Sequence, residues 1–285
     1  MIKLSIITVN LNNREGLRKT IASVVSQTFA DFEYLIIDGA STDGSVKVIQ
    51  QHREKITYWL SEPDHGIYEA MNKGIGRARG EYCLFLNSGD WLVNDNILAD
   101  VFAQGAEADI ISGNVYFYDT AKNQIKWYVC SPEKMTAKTI FYGSIPHQAT
   151  FIRRELFHTI GLYDESLKIA SDWLFFRKAL LEKGASYSHF DGAVAYFNME
   201  GISCSPKTSS LPRQEQRAVL EEKFPLFIPD YQQLQLLEEQ DKNWQESRER
   251  RVYEFLKRCG IIKAGVFLLR AGNFLRRKLT KKLQP

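Results

Sequence analysis

Residues 61–90 read SEPDHGIYEAMNKGIGRARGEYCLFLNSGD and predict a helix, a strand and a polar turn in succession. Apolar residues recur at intervals of three and four as far as Ala78, which is typical of a helix with one apolar face, and Gly80 is expected to end that helix. Residues 82–86 form an apolar run of the length of a strand buried on both faces. The run stops at Asn87-Ser88-Gly89-Asp90. Ligands of open α/β sheets bind beyond the carboxyl ends of strands, so this turn is a candidate site.

The chain before this stretch alternates in the same way. Residues 4–9 and 32–37 are apolar and rich in β-branched side chains, which predicts two buried strands. Helices are expected from about 15 to 27 and from 45 to 52, and a third strand from 56 to 60. Such alternation predicts an α/β fold with a Rossmann-like, mostly parallel sheet, flanked by helices and linked by right-handed crossovers.

Polar residues follow each of the predicted strands. The candidates for one shared site are Thr8, Asn10, Asp38, Asp64, Asn87, Ser88 and Asp90. The carboxyl ends of parallel strands meet at one edge of a sheet, so these residues are expected to converge. Two of them also have a purely structural interpretation: Asp38 could serve the turn DGASTDG, and Asp90 could cap a helix after it.

Eleven short motifs, in order along the chain, resemble an inverting family-2 glycosyltransferase with the GT-A fold, of the type that assembles bacterial polysaccharides and glycans. They are SIITVN (5–10), SQTF (26–29), FEYLIIDGASTDG (32–44), EPD (62–64), GEY (80–82), FLNSGD (85–90), HQ (147–148), FIRR (151–154), GLYDE (161–165), ASDW (170–173) and GIS (201–203). The resemblance covers roughly residues 1–205. It indicates a fold and a reaction class rather than a particular sugar.

The resemblance implies transfer of a sugar, with inversion, from a nucleotide-diphosphate donor to a hydroxyl acceptor in the assembly of cell-surface polysaccharide or glycan. The donor is expected to be a UDP-sugar, and the acceptor a sugar or a lipid-linked molecule. Thr8, Asn10 and Asp38 would contact the base and ribose, with Asp64 beside the same pocket. A carboxylate suits uracil because it accepts the ring N–H.

The remaining site roles come from the same resemblance. Asp90 matches the last acidic residue of the DxD-type motif, which holds Mg²⁺ or Mn²⁺ against the diphosphate, although this sequence keeps one acidic residue where the motif usually has two or more. Asn87 and Ser88 would lie at the donor. Asp172 matches the catalytic base that removes the proton of the acceptor hydroxyl.

Two residues of the second half, Asp172 and His147, keep alternatives. Asp172 could instead be a carboxylate favoured by the helix dipole at a helix start. His147 and Trp173 are placed on the acceptor side, although a lone histidine is more often structural. Two other functions stay open for the whole chain: a non-catalytic nucleotide-sugar-binding protein, and a scaffold of a glycan-assembly complex.

Composition separates a body from a basic tail. The 285 residues are 44% hydrophobic and 25% charged, as in ordinary globular proteins, and carry a net charge of +3. Residues 248–285 hold 12 Lys and Arg against two Glu, a net charge of +10, so the preceding 247 residues carry −7. We expect a catalytic domain over 1–205 and a helical, basic extension over 206–285, with a linker at 206–212, helices over 213–224 and 230–258, and an amphipathic segment over 261–283.

The tail favours an anionic membrane surface, because apolar positions alternate with Lys and Arg as in interfacial helices. A solvated pair of helices is the other interpretation, and nucleic acid is not expected as a partner because no recognisable motif accompanies the charge. No signal peptide and no apolar run of membrane-spanning length are expected. The four cysteines form no CxxC pair, which favours reduced thiols. The expected location is the cytoplasm, peripheral to the inner face of the plasma membrane.

Overall fold

The computed structural model describes residues 2–103, 107–201, 204, 208 and 210–259. Two compact units divide the chain, residues 1–223 and 224–285. The first unit extends past residue 205, the boundary expected from the sequence, because the helix Leu211–Lys223 belongs to it.

One sheet organises the first unit. Its described strands are β1 (Leu4–Asn10), β2 (Phe32–Asp38), β3 (Tyr58–Ser61), β4 (Tyr82–Phe85), β5 (Trp91–Leu92), β6 (Ile110–Asp119), β7 (Gln124–Val129), β8 (Thr150–Arg153) and β9 (Tyr187–Asn198). They lie in the order β3-β2-β1-β4-β8-β6-β9-β5, with β7 paired to β6. The pairs among β3, β2, β1 and β4 are parallel, whereas β8 is antiparallel to both β4 and β6. The predicted α/β fold is confirmed, with a parallel first half and a mixed second half.

Helices cover both faces of this sheet. The described helices of the first unit are α1 (Arg14–Val25), α2 (Ser45–Gln51), α3 (Ile67–Ile75), α4 (Ile97–Ala103), α5 (Ala137–Tyr142), α6 (Glu155–Thr159), α7 (Ser171–Arg177) and α8 (Leu211–Lys223). Successive residues of β1 face opposite layers, since Ile6 packs with Leu17 of α1, and Ile7 packs in the layer that contains Met71 of α3. Burial on both faces explains the unbroken apolar runs in the sequence.

One predicted boundary in the decisive stretch differs from the structure. Gly80 does not end the helix, because α3 stops at Ile75 and Gly76 is its C-cap. A side-chain carbon at Gly80 would lie 2.4 Å from Ser5 N, so glycine is needed there for close approach to β1. Outside that stretch, β6 (Ile110–Asp119) is one continuous strand with a bulge near Gly113.

The helix that carries Asp172 is short. α7 ends at Arg177, and a π-helical turn, Lys178–Glu182, follows it.

The second unit is helical in its described part. A 3₁₀ turn, Pro225–Phe227, leads into α9 (Ile228–Glu246), and α10 (Arg248–Arg258) follows. One long helix was predicted here. Ser247 interrupts it, because its backbone is extended and its hydroxyl caps α10 by accepting from the Arg250 N–H. The amphipathic segment predicted over 261–283 lies outside the described residues, as does part of the predicted linker.

Candidate active site

The parallel arrangement of β1, β2 and β3 brings one cluster of polar residues to the carboxyl edge of the sheet. Asn10 and Asp38 are direct neighbours across β1 and β2, and Ser61 is the neighbour of Asp38 on β3. Asp38 Oδ1 accepts from Asn10 Nδ2 at 2.7 Å, and its Oδ2 accepts from the Ser61 hydroxyl at 2.7 Å and the Ser41 N–H at 2.9 Å. Asp38 is fully buried and strongly held in place.

A second feature of this cluster is an unused acceptor. Within the described part of the chain, Asn10 Oδ1 is buried and has no hydrogen-bond partner. Leaving a buried polar atom unpaired is costly, so such an atom in a native site is expected to meet a ligand or water. Asp64 lies beside Gly39, the residue after Asp38: a side-chain carbon at Gly39 would be 2.5 Å from Asp64 Oδ2. Burial raises the pKa of Asp64, and the charge of Asp38 adds to that.

Thr8 does not join this cluster. Its side chain is fully buried, where its hydroxyl donates to Leu86 O at 2.8 Å and lies 3.1 Å from the Tyr34 hydroxyl. Both polar partners are protein groups inside the sheet layer. In the structure Thr8 ties β1 to β4, and Asn10, two residues later, lies in the polar cluster at the edge; contact of Thr8 with the nucleotide stays a prediction.

The turn after β4 is held by β1 and the start of α1. The Ser88 N–H donates to Val9 O at 3.0 Å, and Asn13 Nδ2 donates to Ser88 O at 2.9 Å. Gly89 has a φ of 104°, a left-handed conformation that favours glycine. No helix follows Asp90 directly, because β5 begins at Trp91. The alternative role of Asp90 as a helix cap is therefore wrong.

Asp90 itself is almost completely buried. Its Oδ1 accepts from the Asn198 N–H of β9 at 2.8 Å. Burial raises the pKa of Asp90 to about 7, although the Asn198 N–H and the charge of His147 act in the opposite direction. A carboxyl group of this kind is partly protonated at neutral pH, and a cation beside it would displace the proton.

Asp172 lies in the first turn of α7 and is held from two directions. Its Oδ1 is 2.9 Å from the hydroxyl of Tyr68 on α3, and its Oδ2 is 3.0 Å from His147 Nδ1. Burial alone would raise the pKa of Asp172. The hydrogen bond and charge of His147 and the hydrogen bond from the Tyr68 hydroxyl lower that pKa by more than burial raises it, so the net shift is downward. Asp172 is therefore an ionised carboxylate at neutral pH, in a defined orientation.

His147 connects Asp172 with the turn after β4. Burial lowers the pKa of His147, but the hydrogen bond and charge of Asp172 and the charge of Asp90 raise it more. Its Nε2 lies 3.3 Å from Asn87 Nδ2, while Asn87 Oδ1 is buried without a partner among the described residues. A half-turn of the amide would bring Oδ1 to Nε2, the arrangement that a protonated imidazole favours because both of its nitrogens donate.

Trp173, which was predicted to lie on the acceptor side, lies against α8 in the structure. The indole is buried and packs with Leu174 and with Val219 of α8. The Arg177 guanidinium lies over its ring, 3.3 Å from the centroid. Consecutive residues of a helix point about 100° apart, so Trp173 faces the interior while Asp172 faces the site.

A model of the family "Glycosyl transferase family 2" matches residues 5–180, which include both clusters. The chain belongs to this family. The predicted reaction class is thereby confirmed: the protein is a glycosyltransferase.

Relatives of this glycosyltransferase carry the same class of name. An uncharacterized glycosyltransferase from Mycobacterium tuberculosis strain H37Rv is 34% identical over 184 residues, which are 62% of this chain and 69% of that protein. A PGL/p-HBAD biosynthesis glycosyltransferase from Mycobacterium bovis strain BCG is 32% identical over 203 residues, which are 69% of this chain and 77% of that protein.

Two solved structures support the GT-A fold. TarS from S. aureus, in complex with UDP-GlcNAc, has a TM-score of 0.57 and 24% identity; the match covers 69% of this chain and 58% of the TarS chain. The mannosyltransferase PcManGT from Pyrobaculum calidifontis, in complex with GDP-Man and Mn²⁺, has a TM-score of 0.53 and 14% identity, covering 93% of this chain and 86% of that chain.

The residues of the glycosyltransferase can be tested against a divalent cation. The described ranges contain no group of three or more His, Cys, Asp and Glu side chains placed to hold a metal. Asp90 is a hard oxygen ligand whose proton is easily displaced, and Mg²⁺ commonly uses one or two carboxylates together with phosphate and water. The donor set therefore fits a cation that is shared with a diphosphate, and does not fit a cage made of protein alone.

Glu215, which no sequence motif indicated, positions the loop before Asp172. Glu215 of α8 accepts three consecutive backbone N–H groups, from Lys168, Ile169 and Ala170, at 2.8, 3.0 and 3.0 Å. These residues lead directly into α7 and Asp172. No local sequence pattern indicates a contact between residues some 45 positions apart. The three hydrogen bonds to Glu215 fix α8 to the loop that precedes Asp172.

We expect Glu215→Ala to lower the free energy of unfolding by roughly 1.5–3 kcal/mol, the typical worth of hydrogen bonds to a charged group. Three N–H groups of the loop before Asp172 would lose their acceptor, so kcat should fall as well. Thermal unfolding measures the first effect. Glu222→Ala is the matched control on the same helix, because 74% of the Glu222 side chain is exposed. Equal Tm values for the two variants would contradict the assigned role of Glu215.

Proposed function

We propose that the protein transfers a sugar from a UDP-linked donor to a hydroxyl of a sugar or lipid-linked acceptor, with inversion at the anomeric carbon, in cell-surface polysaccharide or glycan assembly. The observation that carries this proposal is the connection of Asp172, through His147, to the turn that holds Asn87 and Asp90. A base and a diphosphate-side carboxylate are thereby held in one site, and an inverting displacement uses a group of each kind.

The nucleotide is assigned to the Asn10–Asp38 cluster. Asn10 Oδ1 is a buried acceptor without a partner in the described ranges, and uracil offers a ring N–H donor. Asp64 borders the same position. In this assignment the sugar and diphosphate extend from β1 and β2 toward the turn after β4, where Asn87 and Ser88 lie.

Asp172 is assigned the role of general base. It removes the proton of the acceptor hydroxyl as the new C1–O bond forms and the bond from C1 to the diphosphate oxygen breaks on the opposite face. Tyr68 and His147 hold the carboxylate in place, and a carboxylate retains further lone pairs for the incoming proton. His147 lies close enough to Asp90 for their charges to interact. A protonated His147 imidazole would therefore offset negative charge on the leaving diphosphate.

Asp90 is assigned to Mg²⁺ or Mn²⁺. When bound, the cation would act as a Lewis acid that neutralises charge on the leaving group. The chain's own contribution is to keep Asp90 buried and oriented by the Asn198 N–H.

A thermal-shift panel of UDP, GDP and their sugars, with and without Mn²⁺, tests the donor assignment. UDP at 100 times its Kd should add about 2.7 kcal/mol to the free energy of unfolding, which is roughly 5–10 °C for a unit of this size. GDP at equal concentration should produce less. A protein that no nucleotide stabilises would contradict the whole proposal.

We further propose that the second unit lies on an anionic membrane surface at the cytoplasmic side. Among the described residues, no helix is long and apolar enough to cross a bilayer. Val252, Tyr253 and Phe255 of α10 are exposed between basic residues, as in an interfacial helix. Flotation with anionic liposomes should recover the full chain, and equal recovery of a chain lacking residues 248–285 would contradict this location.

A further inference from the structure

Four aromatic side chains form a row across four strands of the sheet. Trp91 of β5 is the register partner of Tyr196 on β9, Tyr196 is the partner of Tyr116 on β6, and Tyr116 is the partner of Tyr128 on β7. Their ring centroids are 4.8, 5.1 and 4.9 Å apart in that order. We call these four residues the aromatic row. At about 4.8 Å per strand it spans roughly 14 Å.

The row begins at the proposed active site. Trp91 directly follows Asp90, and the N–H that holds Asp90 belongs to Asn198, two residues after Tyr196. β8 is antiparallel to both β4 and β6, so β6 runs in the direction of β4, and β9 is parallel to β6. Tyr116 and Tyr196 lie toward the carboxyl ends of these strands. The row therefore leads away from Asp90 along the same edge of the sheet.

The aromatic row is not part of the core. The opposite face of the same strands carries Phe117 and Phe197, which pack against the hydrophobic core. None of the row residues belongs to the hydrophobic clusters of the described chain. Three of them are half-buried, and Tyr128, at the outer end, is 48% exposed. The described residues thus form an ordered aromatic surface that none of them buries completely.

We propose that the aromatic row binds the saccharide part of the acceptor, meaning the sugars already joined to the one that receives the new residue. This inference rests on the proposed function, which places the reacting hydroxyl near Asp90 and Asp172. Trp91, Tyr196 and Tyr116 stack on one another with interplanar angles of 14° and 28°, so a sugar would meet their ring edges and phenol groups rather than the faces between the rings. A pyranose presents C–H groups to apolar ring atoms and hydroxyl groups to polar ones, and tyrosine offers both.

The polar surroundings favour a sugar chain over an acyl chain. Asn114 Nδ2 donates to the Tyr128 hydroxyl at 2.8 Å, and the hydroxyl of Tyr118, on the same face, donates to Asn123 Oδ1. Lys19 Nζ lies 3.0 Å from the centroid of the Trp91 ring at the inner end. Amides, phenols and one ammonium group beside aromatic rings can hydrogen-bond sugar hydroxyls, whereas an acyl chain would leave them desolvated and unpaired.

Binding of tetrasaccharides and monosaccharides of glucose, N-acetylglucosamine, mannose and galactose to the full chain tests the proposal, with Trp fluorescence and saturation-transfer NMR as readouts. We expect at least one tetrasaccharide to bind about tenfold more tightly than its monosaccharide, and Tyr128→Ala to remove most of that difference. Tyr128→Phe, which keeps the ring, should retain most of it. Trp127→Ala is the matched control: Trp127 is adjacent on β7, 54% exposed, and faces the other side with Phe117.

The inference is overturned if no tetrasaccharide binds, or if Tyr128→Ala binds tetrasaccharide as tightly as the wild type. It is also overturned if Trp127→Ala weakens tetrasaccharide binding as much as Tyr128→Ala does. A Tyr128→Ala variant that keeps sugar binding but no longer floats with anionic liposomes would overturn it as well. The UDP thermal shift is measured on the same samples. A UDP shift without oligosaccharide binding overturns this inference alone, whereas oligosaccharide binding without any nucleotide shift overturns the proposed donor.

Discussion

Asp172→Asn is expected to lower kcat by roughly 10²–10⁴, the usual contribution of a general base, while the Kd of the donor stays unchanged. The substitution keeps the size of the side chain and lets the carbonyl oxygen accept from the Tyr68 hydroxyl, which lies 2.9 Å from Oδ1 in the wild type. It removes the group that can take a proton. Because the effect lies in the chemical step, KM for the acceptor should change little.

Steady-state transfer and donor titration together measure this prediction. Asp31→Asn, on an exposed aspartate before β2, is the matched control and should keep full activity. Loss of Asp172 also removes the main group that raises the pKa of His147, so that pKa should fall, which histidine NMR detects. A variant that retains wild-type kcat would contradict the assigned base. A wild type with no turnover, despite donor binding, would favour a non-catalytic nucleotide-sugar-binding protein.

The strand ends could be located from sequence because the physics is local. An apolar run of strand length followed by Asp38 or Asp90 identifies a buried strand and its exit, and parallel neighbours place those exits on one edge. Thr8 shows the limit of that reasoning. Thr8 lies only two residues before Asn10 on the same strand. Its hydroxyl nevertheless hydrogen-bonds Tyr34 and Leu86 inside the sheet, which only the three-dimensional packing reveals.

Contacts that span the chain could not be predicted in this way. Tyr68 lies 104 residues from Asp172, and no periodicity connects them. Trp173 is the neighbour of Asp172 in sequence but faces the α8 side of its helix, so adjacency in the motif ASDW was misleading. Gly80 was assigned to a helix end because glycine is common there, whereas its role is the close approach to Ser5.

Asp90→Asn is expected to change activity and stability in opposite directions. Removal of the one carboxylate beside the diphosphate should lower kcat in Mn²⁺ by roughly 10²–10³, as for other groups that stabilise transition-state charge. Asn198 can still donate to the side-chain oxygen of the variant, because the amide keeps an acceptor at that position. The loss of activity is therefore expected without a loss of structure.

The stability effect follows from the pKa of Asp90, which burial raises from 3.8 to about 7. In metal-free buffer the native state keeps this proton up to about pH 7, whereas the unfolded chain releases it near pH 4, so the free energy of unfolding falls as pH rises between those values. The penalty is absent below pH 4 and complete above pH 7, where it amounts to about 4 kcal/mol at most.

The Asp90→Asn variant carries no such penalty. In EDTA the variant and the wild type should therefore unfold alike at pH 4 and differ by several degrees at pH 8, with the variant more stable. UDP alone should stabilise both proteins, and Mn²⁺ added to UDP should close that gap by stabilising the wild type further but not the variant. Parallel Tm curves from pH 4 to pH 8 would contradict the burial of an ionisable Asp90, and an equal additional effect of Mn²⁺ on both proteins in UDP would remove Asp90 from the metal site.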